Sequence, residues 1–239
     1  VEKFDRDIDI PRGMGVDAKD VNRIRDTFLD FQARQSISSQ GQFASLATPL
    51  GNAEVVFNDP SDDGISALLG KFWAAWHDVV NEPESSPART ALIHATTTFT
   101  LRLQTAHAQL TQQRQDLNQK VTGIGEEINA KATEIAGLNL QIKQVELNGD
   151  MANDLRDRRD VLLDELSSLG SINYSEDETG SMSVYLGTHE LVFGTSVRAI
   201  NAVDDPLDPG MVRLQFAIDN DDVNVASGQL RGVLDARDV

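Results

Sequence analysis

Residues 153–170, NDLRDRRDVLLDELSSLG, hold four aspartates (Asp154, Asp157, Asp160 and Asp164) with Arg156, Arg158 and Arg159 set among them. Carboxylates this close can hold a divalent cation, work as an acid–base pair, or line the charged face of a helix. Asp157, Asp160 and Asp164 fall at three- and four-residue steps, so they can share one helix face. The guanidinium groups between them oppose a cation. Asp154 and Arg158 stand at i, i+4 with the acid first, and acidic residues early in a helix suit its dipole. The run reads as an ion-paired helix surface, with a protein–protein contact as the alternative.

Other chemistry is sparse. His77, His94, His107 and His189 are scattered, with no HExxH; the thirteen-residue step from His94 to His107 turns about 220° around a helix, which separates the two. Asp59, Ser61, Asp63 and Gly64 match the start of an EF-hand loop, but Gly70 stands where the bidentate glutamate belongs. A capped turn before a helix is the simpler reading. The acidic loop DNDDVN, Asp219–Asn224, shares this ambiguity with weaker spacing. There is no Walker A sequence and no GxSxG, and Gly123 and Gly125 fall inside a helical stretch rather than after a strand. No catalytic, cofactor-binding or metal site is expected, and the chain is not read as an enzyme.

The elements that must position these groups follow from periodicity. Val21, Ile24, Phe28 and Phe31 put apolar residues on one helix face, with Asp17 as N-cap; the pattern loosens through SISSQGQ and resumes weakly to Phe57. A second helix is expected from Ile65 to Val80, capped by Asp62 or Asp63 and ended by the prolines of NEPESSP. From Arg89 to Leu147 there is no proline. Leu117, Ile124, Leu138 and Val145 recur at sevens, and Val121, Ile128, Ile135 and Ile142 lie four residues after the first series. This is a heptad seam interrupted at Lys131, on a helix of about 59 residues that would span ~88 Å. Gly123, Gly125 and Gly137 mark bends or close contacts on it, and Asn148-Gly149-Asp150 reads as its C-cap. The 153–170 run is the next helix, ended by Gly170. INY, SMSVYL, ELVF, VRAINAV and MVRLQFAI then alternate with period two between turns. The expected fold is mainly α with a small antiparallel β region (α+β): an elongated helical bundle built on one very long heptad-patterned helix. The expected division is a helical domain over 1–170, a β region over 171–228, and the start of a further helix over 229–239.

The chain has 239 residues, no cysteine and a formal net charge of −17. Disulfides and thiolate metal sites are excluded, and so acidic a surface repels phosphate backbones and anionic lipid. No run approaches the ~20 apolar residues of a membrane span, and VEKFDRDIDIPRG lacks the apolar core of a cleaved signal peptide.

Four stretches, in order, resemble one known family. NDLRDRRDVLLDELS is similar to an NDLLDQRDQLLDELS-type signature of the bacterial flagellar hook-associated protein 1 family, the first hook–filament junction proteins. GMGVDAKDVNRIRDTFLDFQARQS resembles its first helical segment, with Gly13, Gly15, Val16, Val21, Arg23, Asp26, Phe28 and Leu29 in place. KFWAAWHDVVNEPESSPART resembles its aromatic helix and proline loop, and EINAKATEIAGLNLQI its IN…IA-x-LN-x-QI run. Arg156 stands where leucine is usual and Arg158 where glutamine is usual.

The resemblance implies a structural protein of the flagellar axis, exported unfolded without a cleaved signal and polymerising outside the cell as a short ring. Its implied partners are hook protein, the second junction protein and copies of itself. A flagellin-like or other axial protein is the alternative, and a cation-dependent binding module a more distant one. The family's terminal coiled-coil segments are not recognised here, so the chain is expected to be a fragment, monomeric alone. Arg23, Asp26, Asp154, Asp157, Arg159 and Asp160 are the expected subunit-interface or register residues. Arg159→Glu is expected to impair assembly more than folding.

Overall fold

A computed structural model describes residues 26–57, 59–147 and 150–238. The helices are α1 (Thr27–Phe57), α2 (Ile65–Asn81), α3 (Ser86–Leu147) and α4 (Asn153–Leu169), with α5 (Gln229–Arg237) after the strands. β1 (Ile172–Glu176), β2 (Met182–Leu186), β3 (His189–Phe193) and β4 (Ser196–Val197) form an antiparallel sheet in that order, and β5 (Ile200–Asp204) pairs with β6 (Val212–Phe216) in a second one. The α+β architecture and the very long helix match the sequence reading. No helix among the described residues is long and apolar enough to cross a membrane.

α3 is the spine, with 62 residues and a length of ~93 Å at ~1.5 Å per residue. Its N-terminal third packs on α2, where Leu68 and Ala75 are buried and Phe72 stacks on Phe99 with centroids 6.3 Å apart. Further along, the heptad seam turns inward: Val121, Ile128, Ile135 and Ile142 have no exposed surface. They join Leu163 and Leu166 of α4, Val184, Leu191 and Phe216 of the strands, and Leu230 of α5 in one core. Lys131 breaks the seam because it turns out to Glu165, 2.7 Å away, and to Glu127 one turn back.

Three asparagines of α3 dock the strands. Asn129 bonds both backbone groups of Ile200, donating to the carbonyl at 2.7 Å and accepting from the N–H at 2.8 Å. Asn139 donates to the carbonyls of Met182 (2.8 Å) and Gly194 (2.7 Å) and accepts from the Met182 N–H. Asn118 accepts from the Val212 N–H at 2.8 Å. A side-chain amide offers the same donor and acceptor as a peptide, so each can satisfy a strand edge lying against a helix.

The structure departs from the periodicity in four places. The serine-rich stretch is not a loosening: α1 runs unbroken to Phe57, with Ser38 Oγ 2.7 Å from Ser227 Oγ just before α5 and Gly41 against Gln229 at its start. VRAINAV is not one strand, since Ser196–Val197 closes the first sheet and Ile200–Asp204 opens the second. Gly64 precedes α2 without a side-chain cap; Asp59 instead accepts from the Ser66 hydroxyl at 3.1 Å. Of the three helix glycines, only Gly125 meets a neighbour, with Leu214 where its Cβ would be, while Gly123 and Gly137 face open space. The Asp17 cap lies outside the described residues, as do Asn148 and Gly149 of the expected C-cap.

Candidate functional site

α4 divides the aspartate–arginine run between two faces. Asp154, Asp157 and Arg158 are exposed and Arg156 is half-buried, but Arg159 is only 1% exposed and Asp160 9%. The ion pairs among the described residues do not include the expected Asp154–Arg158 pair.

The inward charges are held by partners from distant elements. Arg159 Nη1 donates to Asn139 Oδ1 at 3.0 Å and to the Gly180 carbonyl at 2.7 Å, while its Nη2 donates to Glu176 at 2.6 Å. Arg156 forks the Glu146 carboxylate at 2.8 and 3.0 Å and reaches Glu176 as well. On the other side, Arg34 of α1 bonds Asp164 at 2.8 Å and Asp160 at 3.2 Å, with its guanidinium 4.5 Å from the Tyr174 ring centroid. A planar guanidinium with five donors can knit several acceptors at once, which offsets the cost of taking its charge from water.

For Arg159 and Asp160, the expected ion-paired surface is therefore an internal clasp joining α1, α3, α4 and the β1–β2 turn. With Arg159 buried, Arg159→Glu would set a carboxylate against Glu176 and the Gly180 carbonyl, so its expected first effect is on folding. Asp26 caps α1, its Oδ1 accepting from the N–H groups of Phe28 (2.9 Å) and Leu29 (3.2 Å). Arg23 lies outside the described residues. Sequence reasoning missed Arg34, Asn139 and Glu176, which are separated from α4 in the chain and carry no local signal of contact.

The Arg156 hydrogen bond holds the Glu146 carboxyl below its ordinary range, against some desolvation. A carboxylate whose folded pKa is depressed contributes stability above its unfolded pKa of ~4.3 and loses it as pH falls through the folded value. Glu146→Gln is therefore expected to melt below the parent at pH 7, with the gap closing as acidification passes below ~4. Paired thermal melts across pH 3–7 check this.

A second feature lies on the outside. α1 is inverted: its buried positions are Arg34, Ser38, Ser45 and Pro49, whereas Leu29, Phe43, Leu50 and Phe57 are exposed. The last three recur at sevens, with Leu29 two heptads before Phe43. α2 carries a second apolar face at Leu69, Trp73, Trp76 and Val80, with Trp73 53% exposed, flanking the face that meets α3. Heptad spacing is the pattern by which one helix receives another. The seven-residue recurrence on α1 was present in the sequence; burial of its polar side was not readable there.

Comparisons with known proteins give the family. A family model described as the flagellar hook-associated protein FlgK helical domain matches residues 50–239. The chain belongs to the flagellar hook-associated protein FlgK family. It is 32% identical over 168 residues to flagellar hook-associated protein 1 of Bacillus subtilis, covering 70% of this chain and 33% of that relative. The protein of the same name from Salmonella typhimurium is 29% identical over 202 residues, covering 82% of this chain and 36% of the relative. The Escherichia coli one is 26% identical over 237 residues, with 94% and 43% covered. The chain thus spans about a third to two-fifths of the length of these curated relatives. A solved structure described as the flagellar hook junction protein FlgK from Burkholderia pseudomallei shares the fold, with a TM-score of 0.72 at 24% identity over 87% of this chain and 39% of that one. These relatives are components of the bacterial flagellum by name.

Proposed function

We propose that this chain is the helical and β part of a hook–filament junction protein, a structural subunit with no catalytic role that works outside the cell in the flagellar axis. The observation that carries this reading is the exposed, heptad-spaced apolar face of α1, together with the second apolar face of α2. A surface helix of a self-sufficient domain keeps its apolar stripe inward. Here the stripe is offered to other helices, and fully burying one such side chain is worth ~1.5–3 kcal/mol. Those helices belong to the axial assembly: further segments of the longer protein, copies of it, hook protein and the second junction protein. Export of the unfolded chain without a cleaved signal fits this reading. The acidic surface favours neither nucleic acid nor membrane.

The helical stretch to 170 and the β region 171–228 act as one body in this reading, because the core runs through both. Asp154 and Asp157, exposed on α4, remain the register candidates; charges so placed select partners more than they add affinity.

The test is made on the protein at full length, in source cells lacking their own junction protein. Phe43→Glu with Leu50→Glu is expected to leave melting of the 239-residue chain within the change of ~0.5 kcal/mol typical of surface substitutions, and Trp73→Glu to cost the ~0.5–1.5 kcal/mol of its edge contact with Phe72 without unfolding the chain; both are expected to abolish filament attachment and motility. Normal motility in both variants would overturn the reading of these faces as assembly seams.

A further inference from the structure

We propose that His189, Asp219 and Asp221 form a binding site for one divalent transition-metal ion of the zinc class, fastening β3 to the loop that follows β6. Each residue offers one ligand atom, and the three atoms lie within 4.8 Å of one another. A zinc ion with its ligands at ~2.0–2.2 Å requires them somewhat closer, which small side-chain rotations on a partly exposed surface supply. Among the described residues this is the single group of three or more such side chains.

The histidine separates this arrangement from a patch of surface acids. Its ring lies against the buried Phe216, with centroids 4.9 Å apart, and its Nδ1 is 3.2 Å from the Thr188 hydroxyl. Those contacts aim Nε2 at the carboxylates, 3.1 Å from Asp221 Oδ2. A ligating histidine characteristically has its second nitrogen fixed by an oxygen in this way. Arg198 Nη1 sits 3.1 Å from Asp219 Oδ2. It opposes a cation but also orients that carboxylate, whose other oxygen, Oδ1, accepts the Asp221 N–H at 3.3 Å and keeps one lone pair for a metal. The neighbouring Asp222 is taken up by Arg213 and Gln215. One imidazole with two carboxylates suits zinc, nickel or manganese rather than calcium, which prefers six to eight oxygens. Three protein ligands leave a position open to water.

The structure also explains why the residues look unrelated in sequence. His189 stands alone at the start of a strand, and the two aspartates lie in an acidic loop about thirty residues on, with |i−j| of 32 between His189 and Asp221. The bridge between Gln215 and Asp222 folds that loop back on β6 and brings it alongside β3.

The test uses the 239-residue chain and zinc chloride as the probe, with calorimetry for stoichiometry and thermal melts with and without metal. Because a ligand of the folded state must raise stability, one equivalent should bind and raise the melting temperature. Asp221→Asn and His189→Gln should each weaken binding at least tenfold and remove the shift, whereas a control replacing His77, His94 and His107 together should keep both. Circular dichroism confirms that the variants fold; if His189→Gln does not, Asp221→Asn decides alone. Equal shifts in parent and variants would show diffuse attraction to an acidic surface and overturn the site. So would no response to zinc, or a response to calcium alone.

Discussion

Arg159→Ala is expected to lower the melting temperature of the 239-residue chain by about 6–20 °C. Removing one partner of a buried, hydrogen-bonded ion pair costs ~3–5 kcal/mol, and in a chain of this size each kcal/mol moves the midpoint by about 2–4 °C. Glu176 is about a third exposed and keeps Arg156, so the lower half of that range is favoured. Truncation removes the donor to the Gly180 carbonyl and Asn139 Oδ1 together, and it removes one of the two arginines on Glu176. Asn139 in turn holds Met182 and Gly194, so the sheet's seat on α3 loosens with it. Arg159→Lys should recover part of the loss, since one ammonium keeps the charge but cannot fork. Asp157→Asn, two positions away on the exposed side, should move the midpoint by no more than a degree or two. Differential scanning calorimetry of the three variants checks the set, and equal midpoints for Arg159→Ala and the parent would show that the clasp adds nothing.

Gly232→Ala is the second large effect, and its sign opposes the usual rule. Alanine ordinarily stabilises a helix by up to ~1 kcal/mol relative to glycine. In α5, however, a Cβ at Gly232 would sit 2.2 Å from the Gln42 carbonyl oxygen and 3.0 Å from Ser45 Cβ. The obstacle is backbone, so no side-chain rotation relieves it. α1 has its own glycine nearby, Gly41, where a Cβ would meet the Ser168 carbonyl at 2.5 Å. Forcing such contacts apart costs ~1–3 kcal/mol beyond the lost propensity gain, so we expect the midpoint to fall by several degrees. The same substitution at Gly123 or Gly137 meets nothing within 4 Å. Either should raise stability by ~0.5–1 kcal/mol, and urea titrations of the three variants side by side measure the contrast.

These cases show what was legible from residues alone. The α3 seam could be read because its signal is periodic and local: Val121, Ile128, Ile135 and Ile142 announce a buried stripe whatever covers it. The strands were legible for the same reason, except where VRAINAV passes from one sheet to the other without interrupting its alternation. The clasp was not legible, because Arg159 and Arg158 are identical in type and adjacent. Only the arrival of Asn139, Glu176 and Gly180 from elsewhere decides which of the two is buried. α1 misled in the opposite direction. Its serines and glycine read as a weak helix, yet smallness is what lets α5 approach, with Gly41 lying against Gln229 and Ser45 against Gly232.

That last crossing also joins the two ends of the described chain. The bonds from α1 to Ser227, just before α5, and to Asp235 within it join residues 189 and 193 positions apart. The cost of bringing such distant points together rises only slowly with length, but the contact cannot form until both points are free in the same space. If a chain of this topology were threaded end-first through a narrow conduit, it would have nearly all of its length on the far side before the first helix could meet the last. Whichever end led, the face that the leading terminal helix turns to the other would wait open until the final turns arrived to cover it.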